Sequence, residues 1–275
     1  MKKVKLASGK VLPVLGLGTW RIAENRERRD AEIAALRLAL DLGMSLIDTA
    51  EMYGDGSAEE LVGEAISGRR DQVFVVSKVY PHNASRERLQ RACERSLGRL
   101  GTDYLDLYLL HWRGSVPLAE TVETFIALKH SGKILDYGVS NFGIDDMKEL
   151  LNIDGSEQVA VNQVLYNLSR RGIELDLLPW CREHGIPIMA YSPIEQGRLL
   201  HKLRPLAARL GVKDAQLALA WLLRQDDIIA IPKASSEAHV RDIRESVDLN
   251  LGSETVLELD RLFPRPNRKI PLEIL

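Results

Sequence analysis

The sequence has no long hydrophobic run anywhere in its 275 residues. A helix needs about 20 consecutive apolar residues to cross a membrane, so we predict no spanning segment and no membrane partner. The N-terminal stretch MKKVKLASGKVLPVLGLGTW is basic but has no unbroken apolar core, and we expect no secretory signal. Hydrophobic residues still make up 45% of the chain, which is ordinary for a globular protein with a buried core.

Cysteine is also scarce. The two cysteines, Cys93 and Cys181, lie far apart in segments that read as helices. A small secreted domain held together by disulfides carries more cysteines at closer spacing. We therefore expect two buried, reduced thiols and a cytoplasmic location, and we predict no metal site.

The sequence also has no large excess of positive or negative charge. The chain has 37 basic and 39 acidic side chains, which gives a formal net charge of −2. A nearly balanced charge argues against a nucleic-acid surface and against a broad membrane-binding face.

What the sequence does contain is a regular alternation of short apolar runs and amphipathic helical segments. Eight apolar runs, each followed by a helical segment, occur at residues 14–18, 44–49, 72–78, 104–112, 134–142, 159–167, 186–193 and 227–235. This alternation is typical of parallel strands covered by helices. Eight such units in this length favour a closed (β/α)8 TIM barrel over an open doubly wound sheet, with residues 1–275 as a single domain.

Smaller features refine this prediction. Ser-Gly between the short runs of residues 3–15 predicts an N-terminal β-hairpin across the barrel's N-terminal end, and residues 252–263 predict an additional C-terminal helix. Gly43 should end the first helix. Ser57 with Glu60 three residues later predicts a capping box.

Polar side chains occupy the carboxyl end of nearly every predicted strand. In a barrel of this kind, these ends and the loops after them form the active site. Each residue alone has a simpler structural explanation, such as a helix cap or a solvated lysine, and only their joint position favours a functional site. The residues are Asp48 with Tyr53 in the next loop, Lys78, His111, Ser140, Asn141, Asn162, Gln163, Tyr191, Ser192, Lys233, Ser235 and Ser236.

Four of these residues form a chemically coherent set. A phenol normally titrates near pH 10, and a nearby cation stabilises the phenolate, so Lys78 is expected to lower the pKa of Tyr53. Asp48 would hold that lysine, and His111 would orient a substrate oxygen. Tyr53 could then protonate a carbonyl oxygen as negative charge builds on it.

Reduction of a carbonyl also needs a hydride donor, which a nicotinamide cofactor can supply. The stretch GLGTWR is not a G-x-G-x-x-G fingerprint, because Arg21 occupies its last position. The phosphates must therefore bind elsewhere, and the loops after the seventh and eighth strands are the usual site in barrels. A helix N-terminus follows the second of these loops and suits an anion.

The chain resembles the aldo-keto reductases over essentially its full length. The motifs that carry the resemblance are LGLGTW, LIDTAEMYG, VFVVSKV, DYLDLYLLHW, GKILDYGVSNF, VNQVLYN, IMAYSPI and AIPKASS, in the order of the family. The chain looks closest to short-loop bacterial members that reduce small aldehydes such as methylglyoxal. The resemblance implies Tyr53 as general acid, with Asp48, Lys78 and His111 completing the catalytic set. Family members that reduce a steroid double bond carry Glu at the place of His111, so this histidine favours carbonyl reduction.

The resemblance also implies NADPH as the cofactor. It assigns cofactor contacts to Thr19, Trp20, Asp48, Ser140, Asn141, Gln163, Tyr191, Ser192, Pro193, Gly197, Arg198, Lys233, Ser235, Ser236 and His239. Many members have an arginine where this chain has His239, and a neutral imidazole is the weaker phosphate partner. Arg241 or Arg244 could compensate, and use of NADH stays an alternative.

The substrate is expected to be a small carbonyl compound. The segment between His111 and the next helix is short, and so is the C-terminal tail, which predicts an open site of broad specificity. Trp20, Tyr53, Tyr80, His111 and Trp112 would line it. Glu51, beside the catalytic segment, is expected to be solvated or paired locally. The resemblance to short-loop members also implies a monomer.

Two other functions stay open at this point. One is a cofactor-sensing regulatory or binding module resembling the β-subunits of potassium channels. The other is a barrel lyase or isomerase that uses Lys78 as a Schiff-base nucleophile.

Overall fold

A barrel of eight parallel strands forms the centre of the protein, as described by a computed structural model of residues 1–275. The ten strands of the chain are β1 (Lys3–Lys5), β2 (Val11–Pro13), β3 (Leu17–Gly18), β4 (Leu46–Asp48), β5 (Phe74–Val79), β6 (Leu105–Leu110), β7 (Ile134–Ser140), β8 (Asn162–Leu165), β9 (Ile188–Tyr191) and β10 (Ile228–Ala230). Strands β3 to β10 pair in sequence order, each parallel to the next. The predicted (β/α)8 barrel is confirmed.

The ring closes where β10 meets the first barrel strand. Parallel bridges join Leu15 to Ala230 and Gly18 to Lys233. The amide of Gly18 donates to the carbonyl of Pro232 over 2.9 Å. A side chain at Gly18 would lie 2.8 Å from the Ile231 carbonyl oxygen, so the two backbones can approach this closely only because residue 18 is glycine.

Helices cover the outside of the barrel. They are α1 (Arg29–Asp41), α2 (Ser57–Ile66), α3 (Arg86–Leu100), α4 (Leu118–His130), α5 (Ile144–Leu151), α6 (Leu177–Glu183), α7 (Leu200–Leu210), α8 (Asp214–Leu223), α9 (Glu237–Glu245) and α10 (Ser253–Leu262). Each strand–helix unit contributes one helix, except that α7 and α8 both follow β9 and are separated at Gly211. Helix α10 is the predicted additional C-terminal helix. None of the ten helices combines the length and the hydrophobicity that a membrane span requires.

The predicted N-terminal hairpin is confirmed and packs on the N-terminal end of the barrel. Strands β1 and β2 pair antiparallel. The hydroxyl of Ser8 donates to Asp136 near the start of β7 over 2.8 Å, and Lys10 lies 3.8 Å from Asp106 near the start of β6. The hairpin therefore covers the end of the barrel opposite to the carboxyl ends of the strands.

The local predictions have mixed outcomes. Gly43 follows the end of α1 with a φ of +82°, as expected of a helix stop. The capping box is wrong, because Ser57 is already the first residue of α2 and its hydroxyl donates back to the carbonyl of Gly54. Cys93 and Cys181 are both buried free thiols, as predicted.

Candidate active site

Lys78 lies at the centre of the carboxyl end of the barrel. Its ammonium donates to a carboxylate oxygen of Asp48 over 2.7 Å, to the carbonyl of Thr49 over 2.8 Å and to the hydroxyl of Tyr53 over 3.1 Å. Asp48 ends β4, and Lys78 lies near the end of β5, the adjacent strand in the ring. Their positions at the ends of neighbouring strands bring together residues that are 30 positions apart.

The lysine and aspartate form a buried ion pair. The side chain of Lys78 is fully buried, and that of Asp48 is 3% exposed. Burial lowers the pKa of Lys78 and raises that of Asp48, while the charge of each partner opposes its shift. An ammonium has three N–H donors and no acceptor, and Lys78 has three oxygen partners, so the geometry suits the charged amine. The side-chain amide of Gln163 donates to the second Asp48 oxygen over 2.7 Å.

Tyr53 is held by a tight turn between β4 and α2. Gly54 and Asp55 after it adopt left-handed backbone conformations, which direct the chain into α2. Burial raises the pKa of the Tyr53 phenol well above 10, and the charge of Asp48 raises it further. The prediction that Lys78 lowers this pKa, relative to a phenol without the ammonium, stays a prediction, because the raised pKa reflects burial first and the charge of Asp48 second. Tyr53 is therefore a protonated phenol whose oxygen accepts a hydrogen bond from Lys78.

His111 follows β6 and faces Tyr53. The two ring centroids are 5.9 Å apart. Burial, and then the charge of Lys78, lower the pKa of His111 to about 2, so the imidazole is neutral near pH 7. Its Nδ1 is buried and has no hydrogen-bond partner. A neutral imidazole carries one N–H and one acceptor nitrogen, so it can present a donor without adding charge.

The residues predicted to hold the nicotinamide also meet at this end of the barrel. The side-chain amide nitrogen of Asn141 donates to the carbonyl of His111 over 3.1 Å and to the hydroxyl of Ser140 over 3.2 Å. Its side-chain oxygen accepts from the hydroxyl of Tyr191 over 2.9 Å, which fixes the position of that ring. Gln163 reaches Asp48, and the hydroxyl of Thr19 donates to the carbonyl of Asp48 over 3.0 Å.

The loop after β9 contains the predicted pyrophosphate residues Ser192, Pro193, Gly197 and Arg198. Three non-glycine residues in it, Ser192, Glu195 and Gln196, have φ near +50°. Such conformations are strained and persist where the surrounding structure holds them.

Glu195 organises this loop. One oxygen of its buried carboxylate accepts from Arg198 over 2.9 Å and from Arg170 over 2.9 Å, and the other accepts from Asn167 over 2.8 Å. Arg170 also bonds Glu273 in the C-terminal tail over 2.5 Å. The role of Glu195 as the common acceptor in this loop was not predicted, although the motif PIEQGR places this acid among the predicted pyrophosphate residues.

The residues predicted to meet the adenosine phosphate lie after β10 and at the start of α9. Lys233 is exposed, and its ammonium donates to the carbonyl of Arg21 over 2.9 Å. Ser236 caps α9, and its hydroxyl accepts from the amide of His239 over 3.4 Å. Ser235 makes no side-chain hydrogen bond in the structure. His239 is exposed on the first turn of α9, where an anion would meet backbone N–H groups of the helix N-terminus.

The five predicted substrate-lining residues form one continuous aromatic wall. Ring centroids are 5.0 Å apart for Trp20 and Tyr53, 4.8 Å for His111 and Trp112, and 5.8 Å for Trp112 and Tyr80. The contact between Tyr53 and His111, with ring centroids 5.9 Å apart, joins the pair of Trp20 and Tyr53 to the group of His111, Trp112 and Tyr80. The wall thus runs from the first barrel loop to the loop after β5, with the Tyr53 hydroxyl and His111 between its ends.

The C-terminal tail contributes to the same end of the barrel despite its shortness. Residues 270–274 line a cavity of about 390 Å³ together with Asn141, Leu165 and the first turn of α5. The backbone amide of Leu275 lies 3.4 Å from the Tyr191 hydroxyl. Asn141, whose side-chain amide donates to the carbonyl of His111, is the one predicted site residue in the wall of this cavity.

Glu51 is a second feature that was only partly predicted. Its side chain is 6% exposed, so the expectation of a solvated carboxylate is wrong, and the expectation of local pairing is confirmed. One oxygen accepts from the backbone amide of Tyr80 over 2.8 Å and from the side chain of Asn83 over 3.0 Å.

Comparison with known proteins places these observations in a family. The sequence model of the Aldo/keto reductase family matches residues 14–263. The chain is 47% identical to methylglyoxal reductase YeaE of Escherichia coli, over 100% of this chain and 99% of that protein. It is 35% identical to glyoxal reductase of Bacillus subtilis, over 94% and 92% of the two chains.

A solved structure supports the same family. An aldo/keto reductase of Klebsiella pneumoniae, crystallised with NADP and acetate, superposes with a TM-score of 0.96 at 48% identity, over 100% of this chain and 99% of that chain. No group of three or more His, Cys, Asp or Glu residues is arranged to hold a metal ion. The protein belongs to the Aldo/keto reductase family.

Proposed function

We propose that this protein reduces small aldehydes and ketones to alcohols with NADPH, and that Tyr53 is the general acid. The observation that carries the proposal is the hydrogen bond from the buried Lys78 ammonium to the Tyr53 hydroxyl, with Asp48 as the counter-charge. This arrangement lies at the end of the barrel where active sites of this fold are found.

The chemistry follows from what each group can do. The raised pKa keeps Tyr53 protonated, so a proton is available when a carbonyl binds. A reduced nicotinamide supplies the hydride when it is bound. As negative charge builds on the substrate oxygen, Tyr53 transfers its proton to that oxygen. The phenolate that remains accepts a hydrogen bond from the Lys78 ammonium at 3.1 Å, which stabilises it.

His111 orients the substrate. Its imidazole is neutral because its pKa is about 2, so it can donate a hydrogen bond to the carbonyl oxygen without competing with Tyr53 as an acid. Tyr53 and His111 flank the same space in the aromatic wall, which lets both meet one oxygen.

The residues at the barrel mouth fit a nicotinamide dinucleotide. Tyr191 offers a ring held in place by Asn141, and Arg198 offers a guanidinium that is more than half exposed. Lys233, Ser236 and the N-terminus of α9 offer donors to a phosphate. Related Klebsiella pneumoniae structures contain NADP or NADPH, which supports NADPH here.

The names of the relatives support a small substrate. The related Escherichia coli protein is a methylglyoxal reductase and that of Bacillus subtilis a glyoxal reductase, so a 2-oxoaldehyde is our first candidate. We also propose that residues 1–275 act as one domain, since one apolar cluster extends from Val4 to Phe263. A monomeric state and a cytoplasmic location remain proposals.

Consumption of NADPH and NADH, followed at 340 nm with methylglyoxal, other aldehydes, ketones and sugars, tests the proposed function. We expect turnover of 2-oxoaldehydes, with NADPH preferred. A protein that binds NADPH but turns over no carbonyl would instead favour the cofactor-sensing module, which the relatives do not favour. Trapping of a substrate adduct on Lys78 by borohydride would favour Schiff-base chemistry.

A further inference from the structure

The carboxylate of Glu51 is buried beside the catalytic residues and takes no part in the proposed proton transfer. It lies in the segment between Asp48 and Tyr53, with its side chain 6% exposed. Burying a carboxylate is unfavourable unless it is paired or hydrogen-bonded. Its partners therefore indicate what this carboxylate does.

Both hydrogen-bond donors to the Glu51 carboxylate belong to the turn between β5 and α3. The backbone N–H of Tyr80 and the side-chain amide of Asn83 both donate to the same carboxylate oxygen, over 2.8 and 3.0 Å. The N–H of Asn83 donates to the carbonyl of Tyr80 over 2.9 Å and closes the turn. The guanidinium of Arg95 in α3 lies 3.6 Å from the other carboxylate oxygen, and Arg95 is half exposed.

This turn carries one end of the aromatic wall. Tyr80 packs edge-on against Trp112, with ring centroids 5.8 Å apart and planes at 89°. Trp112 in turn packs on His111. The ring centroid of Tyr80 also lies 4.7 Å from that of His82. The backbone position of Tyr80, which the carboxylate fixes, thus sets where the outer wall of the substrate site lies.

We propose that Glu51 is a positioning residue that sets substrate affinity and selectivity by holding Tyr80, and through it Trp112, in the aromatic wall. The inference rests on the proposed carbonyl reduction. The carboxylate acts on the outer wall, where the larger part of a bulky substrate would lie. A two-carbon or three-carbon aldehyde would depend mainly on Tyr53 and His111.

The test compares Glu51→Ala and Glu51→Gln with the wild type, using methylglyoxal and 4-nitrobenzaldehyde as the small and bulky substrates. Alanine leaves the Tyr80 N–H without its partner, and we expect KM for 4-nitrobenzaldehyde to rise about tenfold, with kcat changed less than about threefold. Glutamine keeps an acceptor oxygen for both donors, so this variant should lie within about twofold of the wild type. Glu60→Ala, an exposed acid on α2, is the matched control.

A second measurement does not depend on turnover. The Tyr80–Trp112 pair should contribute to the near-ultraviolet circular dichroism, so the spectrum of Glu51→Ala should differ from the wild type while those of Glu51→Gln and Glu60→Ala should not. If Glu51→Ala does not fold, Asn83→Ala removes one donor and leaves the Tyr80 contact. That variant should raise KM for 4-nitrobenzaldehyde as well, by about threefold.

Four results would overturn the inference. Unchanged KM and spectrum in a folded Glu51→Ala protein would leave the carboxylate without a positioning role. An equal fall in kcat for both substrates at constant KM would mean that Glu51 acts on Tyr53. If Glu51→Ala does not fold, a KM for 4-nitrobenzaldehyde in Asn83→Ala equal to that of the wild type would also overturn the inference. Absence of turnover in the wild type itself would remove the proposed function, and this inference with it.

Discussion

Replacing Lys78 by methionine separates the structural role of the ammonium from its role in catalysis. The substitution removes all three hydrogen bonds of Lys78 and leaves Asp48 buried, with Gln163 as its remaining side-chain donor. Removing one partner of a buried ion pair costs about 3–5 kcal/mol, because the other charge is left uncompensated. We therefore expect the free energy of unfolding to fall by about that amount in Lys78→Met.

The double variant Asp48→Asn with Lys78→Met should regain about 2 kcal/mol or more of this loss. The asparagine carries no charge, and its oxygen can still accept from Gln163. Its activity should not return, because no ammonium remains to stabilise the Tyr53 phenolate. Both variants should lose about 100-fold to 10,000-fold in kcat/KM.

Urea unfolding followed by circular dichroism gives the stabilities, and NADPH consumption with methylglyoxal gives the rates. Lys5→Met, an exposed lysine on β1 without a salt bridge, is the matched control and should resemble the wild type. A double variant no more stable than Lys78→Met would refute the buried ion pair. A Lys78→Met protein within tenfold of the wild-type rate would refute the role of the ammonium in proton transfer.

Three further predictions follow from the site. Tyr53→Phe should lower kcat about 100-fold to 10,000-fold while the Kd for NADPH, measured by fluorescence quenching, changes little; retained turnover would reject Tyr53 as the acid. The pKa of His111 is about 2 in the folded protein against a usual 6.5, so its contribution to stability is complete above pH 6.5 and is lost as the pH falls. Between pH 7 and 5 the wild type should therefore lose about 2 kcal/mol more than His111→Phe in urea unfolding, and equal losses would contradict the buried neutral imidazole. His239→Arg should lower KM for NADPH about tenfold and leave that for NADH unchanged, and an equal gain for both cofactors would exclude the 2′-phosphate as its target.

The barrel could be predicted from the sequence because its signal is local and repeated. Each short apolar run is followed by a helical segment, and in parallel strands the last residues of all runs meet at one end. Asp48 and Lys78 were therefore expected to be neighbours although 30 residues separate them. The need for glycine at position 18, where the first and last barrel strands meet, could not be recognised from the sequence, because it depends on which two strands close the ring.

The electrostatic details could not be predicted in the same way. The pKa of Tyr53 is raised first by burial of the phenol and then by the charge of Asp48, and neither effect can be read from the spacing of residues in the sequence. Glu51 and Glu195 look like surface acids in the sequence. Their burial results from backbone turns that bring amide and guanidinium donors to them.

The bridge between Gly18 and Lys233 has a consequence for synthesis of the protein. The strand that closes the ring, β10, is the last to be made. Lys233 lies shortly after it, and its ammonium donates to the carbonyl of Arg21. A growing chain on the ribosome therefore cannot close the barrel between Gly18 and Lys233 until residue 233 has emerged. Enzymatic activity should accordingly report completed folding, and C-terminal truncations that remove β10 should abolish it together with the cooperative unfolding transition.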